Sequence, residues 1–384
     1  MDATAQPAIQ LAGVSKRYPT GTIAVHELDL TFDAGQTLVL LGPSGCGKST
    51  ILRMINRLVE PSAGRILLAG EDVASMDPVA LRRRIGYVIQ HVGLFPHRTV
   101  GENVGTVPRL LGWPRSRVRA RTAELLELVQ LDPARYAQRY PHQLSGGQRQ
   151  RVGVARALAA DPAVLLMDEP FSAVDPITRD RLQTEFRRLQ AEVRKTVVFV
   201  THDIEEAIRL GDQIAVLSDG GVLEQRGSPG ELLGQPASEF VADFVGADRG
   251  LKRLAITPIS DRDLEHPPIV RPTDPLPAAR AALARDGARW AVVLDPNGEL
   301  RGWLSVEHAA DGHGTVAGRV RRMTAWVPLD ATLKQAFAAM LQHDAGWVAV
   351  LDGAHFLGVL TPESLHAAMR RSVESAEPET AGAV

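Results

Sequence analysis

The stretch 37–53, TLVLLGPSGCGKSTILR, limits what this chain can fold into more than any other part of it. Leu38, Val39, Leu40 and Leu41 make an apolar run of strand length, while Ile51, Leu52 and Ile55 have helical spacing. Between them, residues 42–49 fit the pattern G-x-x-x-x-G-K-[ST], a phosphate-binding turn in its required strand-to-helix setting. The glycines let backbone N–H groups curl around phosphate oxygens, and the helix start adds its positive dipole end. Lys48 can then neutralise β- and γ-phosphates, and the Ser49 hydroxyl can ligate Mg2+. The competing reading is a glycine-rich turn in some other α/β protein, which Lys48 and the following helix leave little room.

A length of 384 residues suggests two or three domains with real cores. The formal net charge of −2 gives no overall pull toward nucleic acid or an anionic membrane. The single cysteine, Cys46, excludes an internal disulfide and fits a reducing cytoplasm. The first ten residues, MDATAQPAIQ, are unlike a signal peptide. No apolar run approaches the ~20 residues a membrane helix needs. The expectation is a soluble chain that meets a membrane only through other chains.

Residues 9–32 alternate apolar and polar side chains, which predicts antiparallel strands. Tyr18 in the turn between them could stack on a purine base or simply pack at the edge. Strands are expected at 65–69 and at 85–89, the latter ending at Gln90, with a short helix closing at 81–84. From 93 to 140 the texture changes. Pro96, Pro108 and Pro114 precede a charged helix over 115–129, which reads as a helical subdomain inserted into an α/β core. Leu144, Ser145, Gly146, Gly147 and Gln148 then open another helix, with Ser145 as N-cap aiming amides and a dipole end at an anion.

Residues 164–167 are wholly apolar and end in Asp168 and Glu169. Such a strand is buried on both faces, so its acidic end lies at the carboxyl edge of a parallel sheet, where ligands bind. Asp168 can hold Mg2+ through water, and Glu169 can orient and deprotonate an attacking water. The alternative is a pair of capping acids before Pro170. Strand 196–200 ends in Thr201, His202 and Asp203, which puts His202 where it can reach a γ-phosphate or serve as a core histidine.

Residues 42–49, Gln90, LSGGQ at 144–148, Asp168-Glu169, 172–175 and His202 occur in the order seen in ABC ATPases. The resemblance covers about residues 8–246. It implies an α/β P-loop NTPase core over 1–247, with the helical subdomain at about 91–160. It also implies a head-to-tail homodimer that sandwiches ATP and Mg2+. Tyr18, Gly42, Pro43, Ser44, Gly45, Cys46, Gly47, Lys48, Ser49 and Thr50 would bind the nucleotide, with Ser145, Gly146, Gly147 and Gln148 supplied by the second copy. Ser49, Gln90 and Asp168 would hold Mg2+, Glu169, His202 and Gln90 would be catalytic, and Asp175 would act across the dimer. A bulky thiol reagent on Cys46 is expected to block ATP. The stretches 54–58, 88–90, 93–97, 175–179 and 244–248 look like those of quaternary-amine importers, which carry glycine betaine, choline, carnitine or proline betaine. That implies separate permease subunits, an extracytoplasmic solute-binding protein and a peripheral place on the cytoplasmic face of the membrane. The alternatives are another amine or amino acid cargo, or a non-transport ABC ATPase.

Residues 248–260, with basic Arg249, Lys252 and Arg253, read as a linker into a proline-bearing stretch. Beyond it Asp274, Leu276, Trp290, 293–295 and 302–305 recur as Asp330, Leu333, Trp347, 350–352 and 358–361, an offset of 56 or 57 residues. Each copy has an alanine-rich helix and two short strands. The pair resembles an α+β tandem CBS module, with copies at 261–311 and 312–372 and an acidic, disordered tail at 373–384. CBS pairs often bind adenine nucleotides through Ser or Thr and a following Asp. Ser305 and Thr361 match the hydroxyl, but His308 and Ser364 replace the acid. The module is read as a regulatory sensor of ionic strength or a nucleotide, or as a dimerisation platform. The cluster Arg319, Arg321 and Arg322 reads as a solvated turn.

Overall fold

The computed structural model describes residues 6–89, 93–172, 174–310 and 313–374. The chain divides into two compact units, Met1–Gly246 and Ala247–Val384. Among the described residues no helix is long and apolar enough to cross a membrane.

The first unit is built on two sheets. In one, Ile9–Arg17 and Ile23–Phe32 pair antiparallel, as their alternation predicts, and Ala63–Leu68 adds to the other side of Ile9–Arg17. The other sheet has six strands in the order Val222–Gly227, Gln213–Ser218, Thr37–Leu41, Thr196–Thr201, Val164–Asp168 and Ile85–Val88. All neighbours run parallel except the first pair. Every residue of Thr37–Leu41, Val164–Asp168 and Thr196–Thr201 is buried. The continuous apolar runs of these strands follow from that position, since a central parallel strand is covered on both faces. Leu41 pairs with Thr201 and Val216, and Asp168 with Val200, so the carboxyl ends of these strands finish level. The register brings the phosphate loop, the acidic pair and His202 to one edge.

The helices between Ile85–Val88 and Val164–Asp168 include Val100–Val104, Arg115–Leu128 and Gly146–Leu158. Pro114 is the N-cap of Arg115–Leu128, a position where its missing N–H costs nothing. The expected inserted helical segment is there.

In the second unit both copies of the repeat have one design. A first strand (Ile269–Val270; Trp326–Pro328) pairs parallel with the second strand (Trp290–Leu294; Val348–Asp352), which pairs antiparallel with the third (Leu300–Ser305; His355–Leu360). Even the irregularity recurs, between Val293 and Leu294 and between Val350 and Leu351. The equivalent rings Trp290 and Trp347 stack at 3.9 Å and 4° within a small shared cluster. Trp347→Ala removes that stack and is expected to lower the stability of this unit by about 3 kcal/mol. Urea unfolding followed by tryptophan emission reads it, because four of the five tryptophans lie here.

The linker expected over 248–260 is instead part of a core. Arg249–Leu254 is a helix, and Leu254 and Ile259 are buried with Val327, Leu333 and Met340 of the second copy. Ile259 N–H donates to Ala331 at 3.2 Å, and Leu333 N–H to Thr257 at 3.0 Å. Proline content suggested a linker, but Pro258 sits in a bridge to Thr332. The chain before the first copy therefore completes the second, as does Glu265, itself inside the expected first copy, which bridges to Val359 in the second. Of the tail expected from 373, residues 373 and 374 end the helix Pro362–Glu374, and the rest lies outside the described residues.

Candidate active site at the carboxyl edge of the central sheet

The phosphate loop needs its glycines at two points. Gly42 lies so close to the next strand that a Cβ would stand 2.2 Å from the Leu217 carbonyl oxygen. Gly47 has φ +108°, and a Cβ there would stand 2.2 Å from the Ala24 carbonyl oxygen. Ser44 and Gly45 are exposed at the crest, Pro43 is half-buried, and Ser49 and Thr50 are half-buried on the first turn of Lys48–Ile55. Lys48 is 4% exposed and curls over its own loop, donating to the carbonyls of Gly42 and Pro43 at 2.7 Å each. An ammonium held by neutral carbonyls keeps its full charge for a phosphate.

Cys46 is fully buried, with Sγ 3.7 Å from Lys48 Nζ, and burial pushes its thiol pKa up. The expectation that a bulky thiol reagent reaches it is corrected by this burial, because an enclosed, protonated thiol is a poor nucleophile. A thiol titration is expected to find Cys46 unreactive in the folded chain and reactive after denaturation.

Ser49 Oγ donates to Asp168 Oδ1 at 2.8 Å. Burial raises the Asp168 carboxyl, against the pull of Ser49, Arg53 and Lys48. Two residues not foreseen from the sequence join this carboxylate. The Tyr87 hydroxyl is pushed up to about 12, mainly by burial and then by the charge of Asp168, against the pull of Arg53. Arg53 stands four residues after Ser49 on the same helix face, a spacing that could have exposed it. Tyr87 had no such signal, since it reaches the site across a strand pair.

Glu169 follows with φ +43°, a left-handed conformation uncommon outside glycine, which turns the chain out of the sheet. Its N–H donates to Val200 and its carbonyl accepts from Ser172, so the turn is fixed on both sides. His202 Nδ1 lies 3.2 Å from Glu169 Oε1; the His202 side chain is half exposed and that of Glu169 19% exposed. Two of the three residues expected to be catalytic thus meet. Gln90 lies outside the described residues.

Ser145 caps Gly146–Leu158, accepting from Gln148 N–H at 3.3 Å, while its own N–H donates to the Gln148 side-chain oxygen at 3.0 Å. Ser145 and Gly146 are exposed, and Gly147 is packed so that a Cβ would meet Thr178 at 2.8 Å. Asp175 caps Pro176–Val193, and the helix amides hold its carboxyl below the usual range. Tyr18 is half-buried in its hairpin turn, with the Lys16 ammonium 5.3 Å from its ring.

Ser49 and Asp168 fit Mg2+. They offer two adjacent hard oxygens and a buried carboxylate that a cation would relieve, and Mg2+ takes one or two carboxylates beside phosphates and water. Among the described residues no cluster of three or more His, Cys, Asp or Glu could hold a metal unaided. In the second unit the Ser305 hydroxyl is paired with His308 and that of Thr361 with Glu265.

The ABC transporter family matches residues 25–172, and the CBS domain family matches residues 319–371. The chain is 46% identical to the osmoprotectant import ATP-binding protein OsmV of Salmonella typhimurium, over 86% of each chain. It is 43% identical to the glycine betaine/carnitine/choline transport ATP-binding protein OpuCA of Bacillus subtilis, over 93% of this chain and 95% of that one. Among solved structures, the dimeric bacterial ABC transporter cassette MJ0796 matches with a TM-score of 0.52 and 36% identity, covering 58% of this chain and 98% of that chain.

Proposed function

This chain belongs to the ATP-binding proteins of ABC transporters, and from that premise we propose that it is the ATP-hydrolysing subunit of an osmoprotectant importer. The observation that carries the reading is one edge of one sheet, with Ser49 on Asp168 at 2.8 Å and His202 on Glu169 at 3.2 Å. Two copies close head to tail, and each ATP lies between residues 42–50 of one and 145–148 of the other. Lys48 and the loop amides grip the phosphates, and Tyr18 stacks on the base. Ser49 and Asp168 would hold Mg2+, which would supply neutralisation of the charge developing on the phosphates. Glu169 accepts the proton of the attacking water, and His202 orients Glu169 and contacts the γ-phosphate. Gln90 is assigned to the same step by its place in the family order.

The cargo is a quaternary amine. Support comes from the relatives named for osmoprotectant, glycine betaine, carnitine and choline transport, which match across both units of this chain. The partners are separate permease subunits and an extracytoplasmic binding protein, which place the chain on the cytoplasmic face of the membrane. The C-terminal pair is regulatory. The internal pairing of Ser305 and Thr361 supports ionic strength over adenosine as its signal. Vesicles carrying this chain with its permease and binding protein should take up labelled glycine betaine or choline only with ATP inside. Uptake of an amino acid but neither amine would overturn the cargo.

A further inference from the structure

His202 stands in a turn whose two flanking residues are both tied down. Thr201, the last residue of strand Thr196–Thr201, is 1% exposed, and its hydroxyl accepts the Asp203 N–H at 3.0 Å. Asp203 caps the helix Ile204–Leu210, its carboxylate accepting the N–H groups of Glu205 at 2.9 Å and Glu206 at 3.4 Å. The imidazole between them is half exposed. The backbone on either side, rather than packing around the ring, therefore sets its direction toward Glu169.

One carboxyl at this helix start has no part in the chemistry above. Glu206 is 6% exposed, whereas Glu205 beside it is exposed and already gives the helix dipole an acid in its first turn. Burial pushes the Glu206 carboxyl up, against the pull of Thr201 and Gln183. A buried acid costs stability unless it is hydrogen-bonded, and here the donor comes from a different helix. Gln183 of Pro176–Val193, itself 6% exposed, donates to Glu206 Oε1 at 3.0 Å. The oxygen of the same amide accepts from Arg209 at 3.1 Å, so the amide cannot turn round without losing both bonds.

We propose that Glu206 and Gln183 are positioning residues for His202, a role that rests on the reading of His202 as catalytic. Their bond pins the first turn of Ile204–Leu210 to Pro176–Val193. Through Asp203 and Thr201 it fixes the turn from which the imidazole reaches Glu169. A directional bond between two buried groups defines a position that apolar contact alone leaves loose.

ATP hydrolysis and equilibrium Mg-ATP binding, both measured on the full chain, test this. Gln183→Met/Glu206→Met replaces the pair by apolar groups of similar shape, so neither buried group is left without its partner and the fold should hold. It should lower kcat about tenfold, while KM and the ATP dissociation constant stay within about twofold. Gln183→Met alone, which removes only the donor, carries the same expectation. Gln183→Glu/Glu206→Gln exchanges the two groups, keeps an amide–carboxylate bond and should restore most of kcat. In a His202→Ala background the methionine pair should cost nothing further, because the residue it positions is gone. A kcat unchanged by either methionine variant would overturn the proposal, as would an equal further loss in the His202→Ala background or an exchange no better than the methionine pair. His202→Ala with undiminished kcat would instead refute the catalytic reading of His202, and this role with it.

Discussion

Glu169→Gln is expected to lower steady ATP hydrolysis by roughly 10²- to 10⁴-fold, the usual contribution of a positioned base, while leaving ATP binding intact. The substitution is nearly isosteric, so the backbone contacts that fix the turn, Glu169 N–H to Val200 and Ser172 to the Glu169 carbonyl, are untouched. Only the capacity to take a proton is lost. The left-handed φ of Glu169 costs on the order of 1–3 kcal/mol for a non-glycine residue, and the sheet edge holds it there. Phosphate release and equilibrium ATP binding, measured on one preparation, separate the two effects. Rapid turnover in the variant would remove Glu169 from its assigned role. His202→Ala should fall in the same direction, because Glu169 Oε1 lies 3.2 Å from His202 Nδ1 and would lose its orienting partner.

Gly47→Ala should weaken nucleotide binding strongly without touching any group that carries chemistry. The new Cβ would stand 2.2 Å from the Ala24 carbonyl oxygen, a backbone atom in a strand that cannot swing aside. It would also have to hold φ +108°, which a side chain resists. The loop must move, and the Lys48 N–H at the helix start moves with it. A distortion costing about 3 kcal/mol weakens affinity by roughly 10²-fold. Gly45→Ala is the control, since a Cβ there meets nothing within 4 Å, and its loss should be limited to the strain of its own φ of +88°. If titration with a fluorescent ATP analogue gave equal affinities for the two, the close approach at Gly47 would not matter.

The parts of this site legible in the sequence were those whose signal is local. Residues 37–53 spell strand, turn and helix within one stretch, and the structure keeps all three. The apolar strands 164–168 and 196–201 declared their burial, and with it the edge at which Asp168, Glu169 and His202 emerge. Contacts made across the sheet were not legible. The charge of Asp168 acts on Tyr87 from the neighbouring strand, and no spacing in one sequence reports that. The left-handed turn at Glu169 was hidden too, because Glu does not advertise it as glycine would. In the second unit the repeat showed clearly, but its wiring did not. Prolines made 248–260 look like a tether, although Leu254 and Ile259 belong to a core more than sixty residues further on.

Retention of ATP through rapid desalting, by Glu169→Gln with and without Ser145→Arg, tests most directly whether 42–49 is half of a site completed by a second copy. The account predicts that Glu169→Gln keeps its ATP. Adding Ser145→Arg should bring retention to background while leaving equilibrium binding to residues 42–49 unchanged, because Ser145 closes over a nucleotide held by the other chain. Retention unaffected by Ser145→Arg would contradict it, as would a loss of equilibrium binding equal to the loss of retention.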